Sequence, residues 1–118
     1  MRGRPKLLKT INLKEGMPLV REAVARLQRE LRLARSEGLP LVKIVHGYGS
    51  TGKGGEIRLA VQAELTRALQ RGELRGVIFG EEWRISNEAC WHLLKRWPEL
   101  KQDKDLGREN LGITVVML

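Results

Sequence analysis

Apolar and polar positions recur with two different periods along this chain, and the changes between them mark out its elements. LVKIV, Leu41 to Val45, is apolar at all but one position and partly β-branched, the pattern of a strand buried on both faces. KTINL, Lys9 to Leu13, is a shorter run of β-formers followed by EGMP, and predicts a first strand ending near Lys14. Between the two, Leu19, Val20, Ala23, Val24, Leu27, Leu31 and Ala34 recur at steps of three and four, from Pro18 at a first helical position to a stop at Gly38 and Pro40. At about 100° per residue, Arg21, Arg29, Arg32 and Arg35 fall on one flank of this helix and Glu22, Glu30 and Glu37 on the other. A second helix places Ile57, Val61, Leu65, Ala68 and Leu69 on one stripe and stops at Gly72. RGVIFG, Arg75 to Gly80, and the C-terminal GITVVML read as third and fourth strands.

The predicted order is βαβαβ, a helical excursion, then β. Two successive βαβ crossovers imply right-handed connections and a mostly parallel sheet, so the fold class is α/β. Ligands of such sheets gather beyond the carboxyl ends of the strands. That rule brings together Lys14, Glu15 and Gly16, the loop from His46 to Gly55, and Gly80, Glu81 and Glu82.

A length of 118 residues fits one domain. The hydrophobic share of 42% and charged share of 31% are those of an ordinary folded chain, which removes weight from disorder and membrane readings. The N-terminal MRGRPK is basic, but no apolar run of signal length follows it, so a cytoplasmic location is expected. The single cysteine, Cys90, excludes an intramolecular disulfide and reads as a small buried thiol. Charge changes the picture more. Lys and Arg total 22 against 14 Asp and Glu, a net +8 that favours polyanionic partners. Residues 1–14 carry Arg2, Arg4, Lys6, Lys9 and Lys14 with no acid, a basic arm that either lies along a phosphate backbone or is a solvated tail. The arginine flank of the first helix is open to the same two readings.

HGYGSTGKGG, His46 to Gly55, leaves the buried strand and feeds the second helix. It matches the phosphate loop of nucleotide-hydrolysing enzymes except that Gly54 stands where a Ser or Thr hydroxyl would hold magnesium. Glycines before a helix N-terminus still favour an anion, and Lys53 adds a full positive charge. Phosphate binding follows without requiring a nucleotide.

HGYGSTGKGG after a buried strand, EIRLAV opening the next helix and a late LGITVVML together resemble the Smr (small MutS-related) domain family, over residues 10–80 and 110–118. The resemblance implies a two-layer βαβαβ(α)β sandwich similar to the C-terminal domain of translation initiation factor three. It also implies DNA or RNA binding and, in some members, endonuclease activity with or without metal. The family's first-strand motif is LDLHG; this chain has INLKEG, with Asn12 at the Asp position and Lys14 or Glu15 at the His position. Asn12 cannot accept a proton, and Lys14 is a phosphate clamp rather than a base. His46 matches the loop His of the family, and with Glu15, Glu81 or Glu82 it offers an alternative acid/base pair; the opposing reading is that His46 caps the strand and orders the loop.

The expected domain spans 10–118 behind an arm at 1–9, with a helical insertion at about 81–110 that the usual compact Smr domain lacks. Ser86 is its expected helix cap, Trp83, Trp91 and Trp97 read as a satellite core or a protein-binding surface, and KQDKDLGREN is a mixed-charge loop without further message. The functional reading is a nucleic-acid-binding, nuclease-related domain with at most weak endonuclease activity. Phosphate contacts are expected from Arg2, Arg4, Lys6, Lys14, Gly47, Tyr48, Gly49, Ser50, Gly52, Lys53, Gly54 and Gly55, with His46 and Glu15 as the catalytic candidates. Binding needs no cofactor, and a divalent metal enters only with cleavage. The alternatives are a regulator that binds nucleotide phosphates on the glycine loop and a protein-interaction module.

Overall fold

LVKIV forms an inner strand of a four-stranded sheet, which is why both of its faces are apolar. The computed structural model describes residues 7–16, 18–48 and 53–118. In chain order the elements are β1 (Leu8–Asn12), α1 (Val20–Ser36), β2 (Leu41–Val45), α2 (Lys53–Gln70), β3 (Gly76–Phe79), α3 (Glu88–Arg96) and β4 (Ile113–Met117), with short 3-10 turns at Gly80–Glu82 and Pro98–Gln102. Among these residues no helix is long and apolar enough to cross a membrane. Of the sequence expectations, Arg2, Arg4, Lys6, Gly49, Ser50 and Gly52 lie outside the described residues, and Lys53 and Gly54 are described only as the helical start of α2.

The sheet order β1-β2-β4-β3 departs from a mostly parallel arrangement. β1 and β2 pair in parallel, but β4 enters antiparallel between β2 and β3. The route of the chain explains the direction. Trp97 and Arg96 at the end of α3 line a groove with Leu41 and Met117 at one end of the sheet. Asp103 and Asp105 then reach Lys43 in mid-strand, and the Gly112 carbonyl accepts the N–H groups of His46 and Gly47 at the other end. The segment after β3 thus descends as α3 and climbs back, so that β4 starts at the end of the sheet where β3 finished.

That segment also changes the layering. Ile11, Leu13, Val42, Ile44 and Val116 pack against the α1–α2 face with Leu27, Val61 and Leu65. Leu41, Ile78, Ile113 and Val115 pack on the opposite face with Trp83, Cys90, Leu93, Leu94 and Leu100. The sheet is covered on both sides, giving three layers where two were expected. The cap of α3 is Asn87 rather than Ser86, because the Asn87 side chain accepts the Cys90 N–H at 3.0 Å. Burial pushes the Cys90 thiol up to about 11, against a weaker opposing hydrogen bond with the Arg84 backbone, so it is an inert core group.

Trp83 is wholly buried and donates its indole N–H to Asp103 at 3.3 Å, which removes it from any partner surface. Trp97 is half-buried under the Arg96 guanidinium, and Trp91 is exposed beside Lys95.

Lys43 lies on the α3 face, between Leu41 and Val45, with its ammonium 2.6 Å from Asp103 and 2.7 Å from Asp105. Asn110 donates to Asp105 at 2.9 Å and accepts the Gly112 N–H at 2.8 Å. The stretch read as a mixed-charge loop is therefore the polar lock that seats the third layer on the sheet. Burial pushes the Asp105 carboxyl up, but hydrogen bonds from Lys43 and Asn110 and the charges of Lys43 and Lys104 outweigh it and hold the group below its ordinary value.

Gly80 closes β3 under the same segment. A Cβ built there would overlap the Asn110 carbonyl oxygen and lie 2.7 Å from that of Ile113. Gly80→Ala is expected to cost about 1–3 kcal/mol through forced backbone displacement, read as a lowered thermal unfolding midpoint. An unchanged midpoint would mean that this close approach is not kept in solution.

Candidate functional site

The loops after β1 and β2 and the start of β4 meet at one end of the sheet. Leu13 continues the ladder by donating to Val45 at 2.8 Å, after which the chain turns. The Asn12 side-chain oxygen accepts the N–H groups of Lys14 at 3.0 Å and Glu15 at 3.1 Å, a turn that a short side-chain carbonyl makes readily. Gly16 then takes a positive φ of 80°, and the Glu22 carboxylate accepts the Leu19 N–H at 2.8 Å to start α1.

The β1 turn places Lys14 against the glycine loop. A Cβ built on Gly47 would be 3.6 Å from Cδ of Lys14, so the lysine stem lies over Gly47. Gly47 has a φ of 73°, which favours glycine, and its N–H and that of His46 both donate to the Gly112 carbonyl at 3.0 Å. Gly112 is itself close-packed, with a built Cβ at 3.4 Å from the Gly47 Cα. Lys14, Glu15 and Tyr48 are exposed, whereas His46 is fully buried. α2 begins at Lys53, so the N–H groups of its first turn, free of intrahelical partners, belong to this end of the sheet.

His46 does not sit as a general base would. Nδ1 is 2.6 Å from the Gly47 carbonyl, which can only accept, so Nδ1 carries the proton. Nε2 is 2.9 Å from the Thr114 hydroxyl, which must then donate to it. Both ring nitrogens are occupied inside the protein. Burial lowers the His46 pKa; the Gly47 hydrogen bond opposes this, the Arg58 charge adds to it and the Glu81 charge opposes it, with a net downward shift. The ring is neutral at neutral pH and holds the start of the glycine loop to β4. In this geometry the ring links the glycine loop to β4 through both of its nitrogens.

Glu15 projects from the β1 turn into solvent, and Glu81 faces Arg58 across 3.8 Å. Among the described residues no group of three or more His, Cys, Asp or Glu side chains is arranged to hold a metal ion. Among the described residues, Asn12 is committed to its turn and His46 to Gly47 and Thr114.

Two further features escaped the sequence reading. Lys9, counted with the basic arm, is paired with Glu30 at 3.4 Å and Glu37 at 3.5 Å, so the acidic flank of α1 covers it. Arg58 was passed over within the apolar stripe of α2, yet its charge reaches the ring of His46. Its signal was position: the fifth residue after Lys53, on the flank next to the helical stripe.

A four-stranded α/β sheet with a glycine loop entering a helix at its strand ends defines the class of domain. The chain has the Smr fold: it is similar to the crystal structure of the Smr domain of Thermus thermophilus MutS2, with a TM-score of 0.57 and 22% identity over 93% of this chain and 96% of that one. No family model matches the chain, and no curated protein matches it.

Proposed function

We propose that this domain binds DNA or RNA through the phosphate backbone, along the edge formed by the β1 turn, the glycine loop and the N-terminus of α2, without efficient cleavage. The observation that carries this reading is Lys14 lying over Gly47 where α2 begins, in a chain of net charge +8. The lysine and free helical N–H groups both favour a phosphate, and neither requires a particular base. On this reading, further phosphate contacts are expected from Lys53, the loop amides and the N-terminal basic residues Arg2, Arg4 and Lys6. Cleavage needs an activated nucleophile and a protonated or metal-bound leaving oxygen in addition to charge stabilisation. A neutral His46 bonded at both nitrogens and an exposed Glu15 supply the first two poorly.

Fluorescence anisotropy with labelled single- and double-stranded oligonucleotides tests the reading. Log affinity is expected to fall linearly with log salt, and Lys14→Ala to weaken binding to all sequences alike while making the slope shallower by about 1. No binding at low salt, or an affinity indifferent to salt, would overturn it.

A further inference from the structure

Arg58, in the second turn of α2, and Glu81, in the turn after β3, make an incomplete pair: Nη2 of Arg58 is 3.8 Å from Oε2 of Glu81. Charges attract at that separation, but no hydrogen bond forms. Among the described residues, Arg58 Nε and Glu81 Oε1 are each buried without a hydrogen-bond partner, and so is Nε2 of Gln62, one turn further along α2. Gln62 is nine-tenths buried. Helical side chains lean toward the N-terminus, which carries its amide back over the turn of Arg58. Two buried donors on one flank of a helix therefore have nothing to donate to, whereas a guanidinium would ordinarily take an oxyanion through two parallel N–H groups. The Arg58 side chain is partly open to solvent and that of Glu81 more so, although Nε and Oε1 themselves are covered, so an anion can reach the guanidinium from its open side once the Glu81 side chain swings into water.

We propose that Arg58 and Gln62 form an oxyanion site for a backbone phosphate of bound nucleic acid, and that Glu81 is a built-in competitor which faces the guanidinium until the phosphate displaces it. The site deepens the nucleic-acid reading above and rests on it. Its neighbours suit the exchange. His46 is uncharged and adds no competing cation, and the nearby end of β3 is fixed by the close approach of Gly80 to Asn110. Affinity then depends on the difference between two carboxylate-like partners for one guanidinium, so removing the internal one should strengthen the external one.

The test compares Glu81→Gln with Glu82→Gln, an exposed neighbour with the same change in net charge. With a labelled single-stranded oligonucleotide at moderate salt, Glu81→Gln is expected to bind about tenfold tighter than the unaltered domain, because the competing negative charge beside the guanidinium is gone. Glu82→Gln should change affinity less than about twofold, as exposed charges do. In the Arg58→Gln background the gain from Glu81→Gln should vanish. A readout free of nucleic acid is the Arg58 Nε–H resonance, which inorganic phosphate should shift in Glu81→Gln at concentrations that leave the unaltered protein unmoved. Equal gains from the two glutamate variants, a gain that survives Arg58→Gln, or a silent Nε–H resonance would overturn the competitor, the last pointing to an ordered water between these groups. If the unaltered domain still binds with a steep salt dependence in those cases, the wider nucleic-acid reading stands; if no variant binds at any salt, both fall.

Discussion

Replacing Lys43 with Ala is expected to destabilise the domain by about 3–5 kcal/mol, because it strands the carboxylates of Asp103 and Asp105 in a buried site without their cation. Only a small part of that is the net worth of the ion pairs, since charges taken out of water lose solvation comparable to what they gain from each other. Lys43→Met combined with Asp103→Asn and Asp105→Asn should therefore recover most of the loss. Urea unfolding followed by tryptophan fluorescence suits the measurement, because the buried Trp83 donates to Asp103 and reports on the lock directly. A Lys43→Ala midpoint within about 1 kcal/mol of the unaltered protein would mean that the third layer is seated by apolar contact alone. Acid provides an independent check. Asp105 is held below its ordinary value, so its contribution is complete above the unfolded carboxyl pKa of about 3.9 and is lost as pH falls through the lower folded value.

Periodicity made the strands and the two long helices legible because each answers to one burial rule. LVKIV was apolar on both faces and became an inner strand, and the three- and four-residue steps of α1 ended close to Gly38 as expected. What periodicity could not carry was the position of β4. Strand order depends on where a chain returns, and that was decided by Asp103, Asp105 and Asn110 finding Lys43 and Gly112, contacts up to 62 residues apart in sequence. A clue was nevertheless present: a lysine within an otherwise apolar, doubly buried strand must find a carboxylate, and DKD in the later loop was available to provide it. The site divides in the same way. The meeting of Lys14 with the glycine loop follows from parallel pairing of β1 with β2, whereas the condition of His46 depended on Thr114 arriving beside it on β4. The resemblance located the histidine, but only the tertiary neighbours fixed which nitrogen holds the proton.

His46 separates a structural role from a catalytic one through pH. Its folded pKa lies below the unfolded value of about 6.5, so between the two values the unfolded chain binds a proton that the folded chain does not. Stability should be complete above about pH 6.5 and fall as pH drops toward the folded value. His46→Ala removes a fully buried ring, the donor to Gly47 and the acceptor of the Thr114 hydroxyl, and is expected to cost about 3 kcal/mol. His46→Asn is the discriminating variant, because its amide can keep the donor to Gly47 while having no titration near neutrality. It should retain more stability than His46→Ala and lose the dependence between pH 6.5 and the folded pKa. If the domain nicks nucleic acid at all, a loop-ordering His46 predicts that His46→Asn cuts at nearly the unaltered rate. A base predicts instead a loss of about 100-fold with folding and binding intact, and that outcome would require the ring to leave Gly47 and Thr114 when substrate binds.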